Sequence, residues 1–263
     1  MTATEATGTR LQKWLAEAGL CSRREGEVWI RDGRVAINGT LITEQGVRVQ
    51  PGDVVAVDGQ PVQRGRLERL LLALNKPPGV ICTRHDPEGR QTVFDLLDPN
   101  LPRLVTVGRL DYLSEGMILL TNDGLLAHRL MHPRQAVERV YRVRVHGRVS
   151  PALLAQIQNG VELEDGPTGP LAATLDHHAG GANSWLTLTL REGRNHLVRR
   201  IFAAFSMEVS RLIRIAYGGV TMGELPLGRW RLLDAQESLR LRKAAGFRPN
   251  LPGAPSGRKP RPR

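Results

Sequence analysis

The run Val107-Gly108-Arg109-Leu110-Asp111, continued by Tyr-Leu-Ser-Glu-Gly-Met-Ile-Leu-Leu-Thr and Asn122-Asp123-Gly124, sets one carboxylate in a loop ahead of an apolar stretch. A carboxylate held there can attack an electrophilic carbon or take a proton. Read alone, an aspartate in a loop is ordinarily a turn or cap residue, and Asn122-Asp123-Gly124 reads as a turn with a helix cap. Tyr141 lies in Arg139-Val-Tyr-Arg-Val-Arg-Val145, where Tyr141, Val143 and Val145 share one strand face and Arg142 and Arg144 the other. By pattern, Tyr141 is therefore a core residue. Gly193-Arg194-Asn195-His-Leu-Val-Arg199-Arg200 reads as a helix start capped by Asn195, with Leu197, Val198, Ile201, Phe202 and Phe205 inward. Arg199 and Arg200 are separated by about 100° on such a helix, so only one points in.

Other chemistries lack their residues. Cys21 and Cys82 form no Cys-x-x-Cys, which argues against a disulfide framework or a structural zinc site. No G-x-G-x-x-G opens a helix after a strand, as a nucleotide-type methyltransferase cofactor would require. The H-x-E with P-C-x-x-C of a zinc deaminase is absent. No cofactor is expected.

The elements that must position these side chains fall into two units. Residues 9–62 begin with a helix stripe of Leu11, Trp14, Leu15 and Ala18, ended by Gly19. Ser22-Arg-Arg-Glu25 fits a capping box for a second helix to about Asp32. Val35 and Ile37 alternate, Asn38-Gly39 is a hairpin turn, and Asp58-Gly59 closes a strand over 54–57. Residues 63–69 form a polar, basic linker. The second unit, 70–245, opens with Leu70–Leu74 and the turn Asn75-Lys-Pro-Pro-Gly79. Strands are expected around 117–121, 137–145, 185–190 and 209–216. Helices are expected near 92–97, 124–131, 151–159 and 195–206, the third marked by Ser150 and Pro151. This order predicts an α+β fold, a small α/β unit followed by a larger domain on a mixed, largely antiparallel sheet with flanking helices. Residues 246–263, rich in Pro, Gly and Arg, are expected to be disordered.

The chain carries 37 Lys and Arg against 26 Asp and Glu, a formal net charge of +11, which favours nucleic acid as partner. Residues 1–63 hold seven basic and eight acidic side chains, so RNA binding there must come from clustering. Arg23 and Arg24 open the second helix, with Arg10, Lys13, Arg31 and Arg34 nearby. The cluster is either a solvated charged face or a phosphate-gripping surface. No apolar run approaches the ~20 residues that span a bilayer, and the first ten residues have no apolar centre of a signal peptide. A cytoplasmic protein is expected.

Over most of residues 9–58, LQKWLAEAGLCSRREGEVWIRDGRVAINGTLI resembles the S4 RNA-binding domain. GRLD at 108–111, Gly116, LLTNDG at 119–124 and His132-Pro133 resemble the catalytic motif of RsuA/RluB-type pseudouridine synthases in order and spacing. The resemblance also takes in NKPPG, RVYRVRV, EGRNHLVRRIF and LIRIAYGGVTMGELPLGRWRLL, about residues 70–240. It implies isomerisation of uridine in ribosomal RNA, the 23S favoured over the 16S, by a monomer. It implies that Asp111 is the catalytic carboxylate and that Arg109 occupies the space left by the flipped base. Tyr141 would pack on the uracil, and Arg199 would pair with Asp111 and keep it ionised. Arg194, Asn195 and Arg200 would contact RNA. Leu197 replaces the usual Gln, removing one polar contact. The competing reading is a non-catalytic S4-domain protein of ribosome assembly, which explains the charge and residues 9–58 but not the matches over 107–133 and 192–202.

Overall fold

A computed structural model describes residues 8–63, 68–179 and 183–247. The linker expected at 63–69 and the tail expected at 246–263 lie mostly outside the described residues.

The N-terminal unit runs β1 (Thr9–Arg10), α1 (Leu11–Glu17), α2 (Arg23–Arg31), β2 (Val35–Ile37), β3 (Thr40–Ile42), β4 (Arg48–Val49), β5 (Val55–Val57) and β6 (Gln60–Pro61). Ser22 Oγ accepts from the Glu25 N–H at 3.1 Å while the Glu25 carboxylate accepts from the Ser22 N–H at 2.5 Å, completing the capping box. Asn38 and Gly39 both take positive φ (51° and 81°), and Asp58 and Gly59 do the same (49° and 77°). These are the left-handed pairs that a two-residue hairpin between twisted strands requires. Leu11, Leu15, Ile30, Val35 and Val55 make the small core.

The larger unit contains β7 (Leu71–Lys76), β8 (Val105–Val107), β9 (Glu115–Thr121), α3 (Gly124–Met131), β10 (Arg139–His146), α4 (Pro151–Asn159), β11 (Ala172–Ala179), β12 (Asn183–Leu190), α5 (Leu197–Ala203), β13 (Val209–Tyr217), β14 (Val220–Thr221), β15 (Trp230–Leu232) and α6 (Ala235–Ala244). Its nine-stranded sheet has the order β11-β12-β10-β13-β9-β7-β15, with β14 on β13 and β8 on β9. Every pairing is antiparallel except β13 with β9, which meet through Ile213–Glu115 and Arg214–Gly116. α4 and α5 cover one core, built on β10, β12 and β13, and other apolar clusters lie on β7 and β9. Tyr141 packs against both halves, at the seam. Among the described residues no helix is long and apolar enough to cross a membrane.

Two local expectations are corrected. Residues 92–97 form turns, not a helix. The segment is drawn into a bridge with Ile81 instead: the Ile81 N–H donates to the Gln91 carbonyl at 3.0 Å and the Val93 N–H to the Ile81 carbonyl at 2.9 Å. Asn195 does not cap α5. The cap position belongs to His196, in left-handed conformation (φ 50°) and without a side-chain cap bond.

Candidate active site

The parallel crossing of β13 and β9 brings together segments a hundred residues apart. At Gly116 (φ 99°) a Cβ would lie 2.3 Å from the Arg214 carbonyl oxygen, so only glycine permits this approach. On the outer side of the crossing, Arg211 grips the Glu115 carboxylate with two bonds of 2.8 Å. The result is a cavity of about 660 Å³ lined by Arg109, Asp111, Arg139, Tyr141, His196 and Arg214, among others. That volume is within the usual range for small-molecule sites and admits a nucleoside.

Asp111 sits in the loop between β8 and β9, half-buried, and its backbone carbonyl accepts from the Ser114 N–H at 3.0 Å. The Ser114 hydroxyl is 3.4 Å from Oδ2 and His196 Nε2 is 3.5 Å from Oδ1. The left-handed backbone of His196, which costs a non-glycine residue about 1 kcal/mol or more, is what leaves the imidazole beside Asp111. The loop is anchored from below by Lys76, whose side chain is fully buried. Its ammonium donates to the carbonyls of Ser114 (2.8 Å), Pro77 (3.0 Å) and Tyr112 (3.2 Å). Burial pushes the Lys76 ammonium below the ordinary lysine range, against smaller opposing pulls from Cys82, Asp111 and Glu115. The Leu110 N–H donates to Cys82 Sγ at 3.3 Å, and burial raises that thiol.

The base of the cavity is cationic. Arg214 is 2% exposed; its Nε donates to the Met117 carbonyl at 2.7 Å, and its Nη2 has no partner among the described residues. Arg139 donates to the Val137 carbonyl (3.0 Å) and the Tyr217 hydroxyl (3.2 Å). Both guanidinium groups pack near the Tyr217 ring, at 5.1 and 5.2 Å from its centroid. Among the described residues neither Arg139, Arg214 nor Lys76 forms an ion pair, and no cluster of three His, Cys, Asp or Glu could hold a metal ion.

The structure thus brings together Asp111, Tyr141, Arg109, Arg194 and Asn195 around one cavity. Arg199 is elsewhere. Its Nη1 donates to the Val209 carbonyl at 2.9 Å, and the expected pair with Asp111 is not formed. Arg194 and Arg200 are both engaged by Asp165, at 2.7 Å and at 2.9 and 2.5 Å, and Arg194 also grips Glu192. They clamp the 161–168 loop instead of offering free guanidinium groups. These contacts hold the Asp165 carboxyl down at about 2, chiefly through its bond to Arg200. In the N-terminal unit Arg10, Arg23 and Arg24 are exposed. Lys13 is 3.6 Å from Glu17, and Arg34 forms a two-bond pair with Asp58 while stacking on Trp29. Arg34 is a structural contact more than a phosphate ligand.

Lys76, His196 and Arg214 escaped the reading of the sequence. Arg214 did leave a cue: Leu212, Arg214 and Ala216 alternate on the inward side of β13, and an arginine on a buried strand face is rare.

Comparison with known proteins follows the same division. The family model for RNA pseudouridylate synthase matches residues 70–204 and the S4 domain model matches residues 9–55. The chain is 46% identical over 249 residues to ribosomal large subunit pseudouridine synthase B of Escherichia coli K12, covering 91% of this chain and 84% of that one. It is 43% identical to the Pseudomonas aeruginosa protein of the same description, covering 94% of this chain but 65% of the relative's length. An uncharacterized RNA pseudouridine synthase of Aquifex aeolicus is 42% identical and matched over 96% of its length. A crystal structure of a pseudouridylate synthase superposes with a TM-score of 0.63 at 32% identity, over 89% of this chain and all of that one.

Proposed function

The chain belongs to the RNA pseudouridylate synthases that carry an S4 domain, and from that premise we propose that it isomerises uridine of large-subunit ribosomal RNA to pseudouridine, with Asp111 as the catalytic carboxylate. The observation that carries the assignment is the placement of Asp111 on the wall of a nucleoside-sized cavity beside Tyr141, above buried cations.

The reaction breaks the N1–C1′ bond, turns the uracil and joins C5 to C1′, with loss of the C5 proton. It needs no oxidant. The Asp111 carboxylate either attacks C1′ or takes the 2′ proton. Lys76 holds the Tyr112 and Ser114 carbonyls and so fixes where that carboxylate sits. A uridine must leave its stack to arrive there, at a cost of a few kcal/mol. Arg109, exposed at the cavity edge, is suited to fill the vacated place. Tyr141 offers its ring to the base, and its position at the seam between the two cores restricts its movement. Arg10, Arg23 and Arg24 supply phosphate contacts from the S4-like unit, and the partner is ribosomal RNA in a cytoplasmic setting, bound by a monomer without cofactor.

The test is Asp111→Asn. Pseudouridine mapping of large-subunit RNA incubated with each protein should show product with the wild type and none with the variant, at similar RNA affinity. Wild-type turnover by the variant rejects the assignment, and no product from either protein rejects the activity.

A further inference from the structure

The proposed reaction has one electronic requirement that Asp111 does not meet. When N1–C1′ breaks, the bonding pair stays on N1 and the departing uracil becomes an anion, its charge spread over N1, O2 and O4. This holds whether Asp111 attacks C1′ or takes the 2′ proton, so the need is independent of the route. The pair is returned to C1′ from C5 when the new bond forms. A fixed donor aimed at this charge lowers the barrier most where water is excluded.

We propose that Arg214 is a further catalytic residue, which donates from Nη2 to a uracil carbonyl as the base departs; the proposal rests on the uridine-isomerising reading above. Nη2 of Arg214 is a buried donor without a partner among the described residues. An unsatisfied buried donor is costly, and one is retained where a ligand completes the bond. The guanidinium does not need to move to do so. Nε is held by the Met117 carbonyl at 2.7 Å, and one face lies against Tyr217. The backbone of Arg214 is pinned at the Gly116 crossing. Phosphate is the poorer candidate ligand. The side chain is 2% exposed, and the phosphates of an RNA chain stay with the backbone while the swung-out base enters furthest. Arg139 is not equivalent, because both of its Nη atoms already donate within the protein.

The experiment compares RNA carrying uridine with RNA carrying 5-fluorouridine at the target, in single turnover, reading loss of the N-glycoside. Fluorine withdraws electrons and makes the departing base a better anion, so it depends less on a donor. Arg214→Met is expected to lower the uridine rate by about 100-fold or more, as removal of one such donor does, and the fluorouridine rate by at least about tenfold less. RNA affinity should hold within about threefold, since the bond forms mainly as charge develops. Arg214→Lys gives a second reading of the same ratio if the Met variant fails to fold. Equal losses on the two substrates overturn the proposal, because a purely structural role lowers both alike, and so does a wild-type rate on uridine. Absence of activity in the wild type itself would fall on the proposed function instead.

Discussion

Adding one methyl group to Gly116 should disable the site without replacing any residue that meets RNA. The Cβ of alanine would lie 2.3 Å from the Arg214 carbonyl oxygen and 2.8 Å from its nitrogen, where ordinary contacts begin at 3.4 Å. Strands β9 and β13 must therefore part by about 1 Å, a distance that can cost about 100-fold in rate when it displaces reacting groups. Only two residue pairs join these strands, so nothing dilutes the shift before it reaches Arg214. Alanine must also adopt a φ of 99°, outside the range of L residues. Backbone strain and overpacking together should cost about 2–4 kcal/mol, lowering Tm by roughly 10 °C for a domain of this size. Thermal melting and single-turnover pseudouridine formation measure the two effects separately, and RNA affinity, set by exposed arginines, should change little. A Gly116→Ala protein with wild-type Tm and a rate within about threefold of wild type would refute the claim that this crossing positions the site.

Three further substitutions have expected outcomes. Lys76→Met orphans the carbonyls of Pro77, Tyr112 and Ser114 and should reduce kcat far more than RNA affinity. Because the folded Lys76 pKa lies below 10.5, the native state binds fewer protons than the unfolded chain between the two values. Wild-type stability relative to Lys76→Met should therefore rise with pH across that window in urea melts, and a falling difference contradicts the burial argument. Asp165→Asn frees Arg200 from its carboxylate, while Arg194 stays on Glu192, and should tighten RNA binding with a steeper salt dependence in anisotropy titrations. With a folded pKa of about 2, below the unfolded value, the Asp165 clamp is fully present above pH 4 and lost only as pH falls through about 2, so titration from pH 7 to 5 should leave it intact. Finally, Arg23→Gln with Arg24→Gln should lower the salt slope of RNA binding by about 1.5, at roughly 0.7–0.9 per phosphate contact; an unchanged slope removes α2 from the RNA interface.

Features encoded within a few residues were legible in the sequence. The Ser22–Glu25 capping box, the Asn38-Gly39 hairpin, and the helices Gly124–Met131 and Pro151–Asn159 follow from side chains that satisfy backbone groups close by. Local signals failed where a pairing from elsewhere in the chain took the segment, as Ile81 does at Thr92 and Val93, or where the loop was drawn into the cavity wall, as at Asn195 and His196. They failed more seriously for Arg199. Helical spacing separates Arg199 from Arg200 but does not say what either meets: both are half-buried, and the Val209 carbonyl takes Arg199. Which arginine enters the cavity is decided by β13 lying parallel to β9, a pairing across 97 residues from Arg214 to Met117. Lys76 was hidden for the same reason, since two of its acceptors lie 36 and 38 residues further on.

The way Lys76, Arg139 and Arg214 are satisfied bears on why the cavity suits an anionic departing base. Each is buried, and each is bonded to carbonyl or hydroxyl oxygens, with no carboxylate partner among the described residues. A carboxylate would satisfy the same N–H groups and cancel their charge. Carbonyl dipoles satisfy the hydrogen bonds but leave the positive field standing, and in a site of low dielectric that field is felt strongly. Glu115 could have cancelled it, being buried and adjacent in sequence to Ser114, but Arg211 holds it in a two-bond pair on the outer side of the strand crossing. Of the two carboxylates lining the cavity, Glu192 is taken by Arg194 and Asp111 is not held by any arginine, and the cations beneath it remain available to a second negative charge. Such an arrangement is poor for stability, because three desolvated cations lack counter-ions. It is intelligible only if the missing anion arrives with the substrate and reaches its full charge when the glycosidic bond opens.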